Sequence, residues 1–147
     1  MAVLLLRHTS AGHRRTWDGP DHLRPLDEQG RREAEALAGI YAPYAVERVL
    51  TSPYVRCRKS VEPLARDLGL PVEERTELAE GATRAETLAL IADLAGQSAV
   101  LCTHGDIVAE LLGEESLKGS TWVLEREGRA FTRGTYLPPP KRPDRND

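Results

Sequence analysis

At 147 residues the chain has enough length for one domain and one core, but not for two. Its formal net charge of -3 lacks the basic excess of a nucleic-acid binder, and its two cysteines are too few for a disulfide framework and wrongly spaced for a metal pair, so both are expected to stay reduced. No apolar run approaches the roughly 18 residues needed to cross a bilayer, and the short apolar segment near Met1 has no basic stretch ahead of it, so a cytoplasmic protein without membrane contact is expected.

The first element is a buried strand. Val3 to Leu6 is an unbroken apolar run, as expected of a strand covered on both faces, and it leads straight into Arg7 and His8. The stretch from Arg7 to Arg15 holds three arginines, two histidines and no acid, a local basic focus on an acidic chain that suits a small anion. Ser10 to Pro25 has no periodicity and reads as a long functional loop.

Asp27 offers an N-cap to a helix over residues 28 to 42, with Ala34, Leu37, Ala38 and Tyr41 at helical spacing. Arg48 to Thr51 is a second short strand. Ser52 as N-cap with Pro53 at the first helical position then predicts a helix running to Gly69, with Arg56 in its first turn. Pro71 to Thr76 reads as a short strand and Leu78 to Ala82 as a loop. Thr83 and Glu86 form a capping box for a third helix ending at Gly96. Ser98 to Thr103 is another buried strand, ending at His104 and Gly105, and a fourth helix follows through Leu112. Thr121 to Arg126 and Arg129 to Arg133 pair as a hairpin around Glu127 and Gly128. The Pro-rich charged tail, 138–147, is expected to be disordered, leaving a domain over 1–137.

Strands alternating with helices predict a three-layer α/β/α fold with a mostly parallel sheet and a C-terminal antiparallel hairpin. Ligands bind such sheets beyond the carboxyl ends of the strands, where Arg7, His8 and His104 lie and Arg56 follows. Two arginines and two histidines around a helix N-terminus suit a phosphoryl group: arginine pairs its oxygens through a planar fork, and a neutral imidazole can attack phosphorus. A charged histidine would then stabilise the transition state.

These residues also carry a resemblance. LLLRHTSAG, TSPYVRCRKSVEPLA and LCTHGDI resemble the three core motifs of the histidine phosphatase (phosphoglycerate mutase-like) superfamily, in order and spacing, over roughly residues 1 to 112. The stretch HTSAGHRRTWDGPDHLRPLDEQGRREAEAL is similar to the small branch of bacterial phosphohistidine phosphatases and of the phosphatase domain that follows a Nudix domain in some mutator-type pyrophosphatases. The Nudix helix pattern is absent, so a stand-alone form is expected. The resemblance implies that His8 becomes phosphohistidine, that Arg7, Arg56 and His104 bind the phosphoryl group, and that no metal or other cofactor is needed. Thr9 stands where the family often has glycine, which bears on pocket shape.

The leaving group usually needs a proton from a carboxylic acid, and Glu77, Glu80 and Glu86 are the candidates; Glu80, in the loop after Leu78, matches best. Thr9, Arg14 and Gly105 are the expected substrate contacts. His13 and His22 have no spacing that would make a metal site, and Cys102 reads as a small core residue. The leading reading is a phosphatase acting on a phosphorylated small molecule or nucleotide. A protein phosphohistidine phosphatase, or a phosphate-binding regulatory module without turnover, are the alternatives.

Overall fold

In a computed structural model that describes residues 2–94, 96–127 and 130–140, the N-terminal apolar run is strand β1 (Ala2–Arg7). The remaining elements are α1 (Glu28–Tyr41), β2 (Arg48–Thr51), α2 (Val55–Leu68), β3 (Val72–Glu74), α3 (Arg84–Asp93), β4 (Ala99–Thr103), α4 (Gly105–Leu112), β5 (Thr121–Glu127) and β6 (Ala130–Leu137). The six strands form one sheet in the order β3-β2-β4-β1-β5-β6. β1 to β4 run parallel to their neighbours within the set, and β5 and β6 add antiparallel at the β1 edge. This is the expected α/β/α architecture with its C-terminal hairpin.

The period of two along the strands builds the two cores. Val3 and Leu5 of β1 join Ala99 and Leu101 of β4 in a cluster with Leu90, Ile91, Ile107 and Val108, so α3 and α4 cover that face. Leu4, Leu6, Val100 and Cys102 point the other way, into a cluster with Leu37, Tyr41, Val61 and Leu64 of α1 and α2. Because both faces are covered, β1 is apolar from Ala2 to Leu6 and β4 from Ala99 to Cys102, and the first polar side chains, Arg7 and Thr103, come at the carboxyl ends of the strands.

Local signals set most boundaries. Asp27 caps α1 by accepting from the Gly30 N–H, and Thr83 with Glu86 forms both halves of the capping box on α3. Several boundaries differ from expectation: β3 is shorter at both ends, and β6 runs past Arg133 to Leu137. The N-cap of α2 is Tyr54, and Ser52 lies two residues before it, engaged elsewhere. α3 ends at Asp93, short of Gly96, because its C-cap Leu94 is already out of helical conformation. Glu127, expected in the hairpin turn, belongs to β5 and pairs with Ala130, while Gly128 and Arg129 lie outside the described residues, as do 141–147 of the tail. The loop from Ser10 to Pro25 is not featureless: it contains two 3₁₀ turns, Arg14–Thr16 and Asp21–Leu23. Among the described residues no helix is long and apolar enough to cross a membrane.

Candidate active site

Backbone hydrogen bonds bring the strand ends together. The His8 N–H donates to the Thr103 carbonyl at 3.0 Å, and the Ser52 N–H to the Cys102 carbonyl at 2.9 Å. The Gly119 N–H donates to the carbonyls of both Arg7 (3.0 Å) and His8 (2.9 Å). Arg7, His8, Arg56 and His104 therefore line one cleft of about 680 Å³ at the carboxyl end of the sheet, together with Arg14, Glu80 and Gly105. The residues expected to act together do meet, with one exception.

The exception is Thr9. It is fully buried, its hydroxyl donates to the Gly30 carbonyl at 2.9 Å and its N–H donates to Ser60 Oγ at 2.9 Å, so it holds the loop against α1 and α2 and does not reach the cleft. The expected substrate contact at Thr9 is thereby corrected to a structural one. Gly30 is required there, since a Cβ would stand 1.9 Å from the Ser10 carbonyl oxygen.

His8 is 4% exposed, and its Nδ1 lies 2.8 Å from the Thr9 carbonyl oxygen. A carbonyl can only accept, so Nδ1 carries the proton and Nε2 keeps the lone pair. Burial pushes the His8 pKa well below the ordinary imidazole value, and the neighbouring His104, Arg56 and Arg7 push the same way, against the Thr9 bond. The ring is thus neutral near pH 7, the state a nucleophile needs.

Arg7 packs its guanidinium on Gly105, where a Cβ would stand 2.8 Å from Arg7 Cζ; any other residue at the first turn of α4 would displace it. One of its terminal nitrogens donates to the Ser116 carbonyl. Burial lowers the Arg7 pKa, with Glu115 and Asp106 acting in the opposite direction. His104 is the N-cap residue of α4, 1% exposed, with Nε2 2.9 Å from Ser52 Oγ and 3.5 Å from Cys57 Sγ. Its ring centroid is 5.7 Å from that of His8. This explains Ser52: its hydroxyl fixes a site histidine, and the helix is capped two residues later.

Arg56, in the first turn of α2, is 1% exposed and stacks over Tyr54 at 4.9 Å. Two carboxylates hold it: Asp21 Oδ2 at 3.0 Å and Glu80 Oε1 at 2.9 Å. Glu80 Oε1 also accepts from Arg14 at 3.1 Å and lies 3.6 Å from His104 Nδ1. Asp21 pairs with Arg24 at 3.1 Å and Arg14 at 3.4 Å. Burial works to raise the Asp21 pKa, but the Arg24 hydrogen bond and the charges of Arg56 and Arg14 outweigh it and hold the group below the usual carboxylate range. Both Arg7 and Arg56 keep a buried Nε with no hydrogen-bond partner among the described residues, a deficit that an oxyanion could fill.

Glu77, one of the three candidate acids, pairs with Arg75 at 2.7 Å, and Glu86 is taken up by the capping box. Asp21, Arg24, Ser52 and Lys118 were not foreseen as site residues. The Gly19-Pro20 pair before Asp21 was the one local sign that this acid sits on a fixed turn, and nothing near Lys118 in the chain points to a cleft. Among the described residues, no three His, Cys, Asp or Glu side chains are grouped to hold a metal ion.

Residues 3–89 match the family model of the histidine phosphatase superfamily (branch 1). An 8-oxo-(d)GTP phosphatase from Mycolicibacterium smegmatis is 32% identical over 155 aligned positions, covering 94% of this chain and 48% of that protein, so the chain spans about half the length of this relative. Among solved structures, the protein histidine phosphatase SixA in complex with tungstate superposes with a TM-score of 0.80 at 25% identity, covering 95% of this chain and 97% of that one. A mycobacterial glucosyl-3-phosphoglycerate phosphatase, complexed with VO3, gives a TM-score of 0.77 at 14% identity, with 93% and 99% covered, a likeness of fold alone.

Proposed function

The chain belongs to the histidine phosphatase superfamily, branch 1, and we propose that it is a phosphatase that turns over a phosphorylated small molecule or nucleotide through a phosphohistidine on His8. The observation that carries this reading is the Nδ1 contact to Thr9, which leaves Nε2 as the nucleophilic atom of a neutral, buried ring among three groups suited to a phosphoryl oxyanion. Nε2 attacks phosphorus, and the leaving oxygen departs. Arg7 and Arg56 hold the equatorial oxygens through bidentate forks, and His104, steadied by Ser52, adds a third donor. Water then cleaves the phosphoramidate bond and returns His8 to its starting state. The tungstate in the SixA neighbour, a tetrahedral oxyanion, supports an anion of phosphate size in this fold.

Glu80 is the proton donor to a poor leaving group in this reading. An arriving phosphoryl group takes over the Arg56 donors that Glu80 now occupies and frees the carboxyl to turn toward the leaving oxygen. Arg14, at the mouth, meets the rest of the substrate. The likeness to SixA favours a second reading, a phosphohistidine protein as substrate, for which the phosphoramidate leaving nitrogen needs no dedicated acid. The relative that acts on 8-oxo-(d)GTP supports a nucleotide instead.

The test is turnover of para-nitrophenyl phosphate in the presence of a chelator, by the wild type and by His8→Ala. The wild type is expected to keep its rate in chelator, and the variant to lose activity on the order of 10⁴-fold or more while keeping its circular dichroism and melting temperature close to wild type. An unchanged rate in His8→Ala removes the mechanism.

A further inference from the structure

Building on the phosphatase reading, we propose that the cleft has a second anion seat beside the scissile phosphoryl group, formed by Arg24 and Lys118, and that it takes the penultimate phosphate of a substrate ending in a phosphoanhydride. Arg24 and Lys118 are brought to the same acceptor: Lys118 Nζ reaches the Gly12 carbonyl oxygen at 3.3 Å and Arg24 NH1 reaches it at 3.4 Å. Two cations that meet at one neutral oxygen repel each other, and an anion between them would relieve that repulsion.

Neither cation is saturated. The Arg24 side chain is 7% exposed, donates from Nε to Asp21 and from NH1 to the Ala11 carbonyl at 2.6 Å, and has no partner for its second terminal nitrogen among the described residues. Lys118 makes its one hydrogen bond to Gly12 and has no carboxylate within ion-pair distance among the described residues. Its pKa is lowered by burial and by the charges of Arg7, Arg24 and Arg56, with Asp27 opposing. Both residues line the same cleft as His8. The seat is also fixed to the reacting strand, because Gly119, next to Lys118, donates to the carbonyls of Arg7 and His8.

The chemistry agrees with the arrangement. His8 Nε2 forms a bond to the terminal phosphorus, the P–O anhydride bond breaks, and its electron pair leaves on the penultimate phosphate, whose new negative charge falls to Arg24 and Lys118. Water then cleaves the phosphohistidine to orthophosphate. A phosphate leaving group is stable as an anion and asks little of Glu80, whose Oε1 is already engaged by Arg14 and Arg56.

Binding is read by titration calorimetry in the His8→Asn protein, which cannot form a phosphoenzyme, with inorganic orthophosphate and inorganic pyrophosphate at matched ionic strength. Pyrophosphate is expected to bind at least about tenfold more tightly than orthophosphate, the gain of one further charge-assisted contact. Adding Lys118→Gln should weaken pyrophosphate about tenfold and orthophosphate less than about twofold. Arg32→Gln, the same change of charge on the exposed side of α1, should move neither. Equal binding of the two anions, or equal weakening of both by Lys118→Gln, overturns the second seat. Turnover of para-nitrophenyl phosphate by the wild type judges the phosphatase reading separately: with turnover intact, equal binding removes the seat alone, and a pyrophosphate preference without turnover keeps the seat and removes the reaction.

Discussion

The floor and the mouth of the cleft are held by different forces. The floor residues His8, Arg56 and His104 are 4%, 1% and 1% exposed and stand on strand ends and helix starts that backbone hydrogen bonds fix. At the mouth, the side chains of Arg14, Asp21 and Glu80 are 63%, 30% and 29% exposed and hold one another through ion pairs. An exposed ion pair contributes about 0–1 kcal/mol, so the mouth can exchange partners when an anion arrives, whereas the floor cannot move without disturbing the sheet. Arg56 joins the two regions: its backbone belongs to the floor, and both of its terminal nitrogens are held by mouth acceptors.

The strongest way to break this division is at Arg56. Arg56→Lys keeps the charge but removes the planar fork that reaches Asp21, Glu80 and the phosphoryl oxygens together, so kcat on para-nitrophenyl phosphate should fall about 10²–10³-fold. A nearly wild-type rate would make Arg56 part of the mouth network only. Glu80→Gln sharpens the comparison by leaving group. An alkyl phosphate should slow by about 10²-fold or more, and para-nitrophenyl phosphate barely at all. Equal losses on both would reassign Glu80 to holding Arg56. The smallest effect belongs to Arg14→Gln: KM should rise less than about tenfold with kcat kept, and the difference should shrink in high salt, where exposed pairs are screened. A loss of kcat that persists in salt would move Arg14 into the floor.

How much the sequence revealed follows the same division. The floor was legible because it rests on local, periodic signals: four apolar residues running into Arg7-His8, SAVLCT running into His104, and a helix start near Arg56. The fold class followed from the alternation of those elements. Of the mouth, Arg14 and Glu80 are legible as candidates, but Asp21 and the neighbouring Lys118 are not, because their contacts join residues far apart in the chain. Asp21 meets Arg56 across 35 positions and Lys118 meets Gly12 across 106, and no local pattern encodes such pairs. Ser52 misled for a related reason: Ser-Pro is a good helix start, yet the hydroxyl is taken by His104, 52 residues away, and the cap passes to Tyr54. Thr9 is an expected substrate contact, yet its hydroxyl turns back to Gly30, 21 residues away.

The central claim is that Nε2 of His8 is the atom that bonds to phosphorus. The protein is mixed with a radioactive phosphoryl donor, quenched in alkali within the first turnover and digested, and the phosphohistidine isomer is identified on the peptide containing His8. Phosphorus on Nε2 is the expected result, since Nδ1 is committed to the Thr9 carbonyl. Phosphorus on Nδ1, or on a residue other than His8, would contradict it.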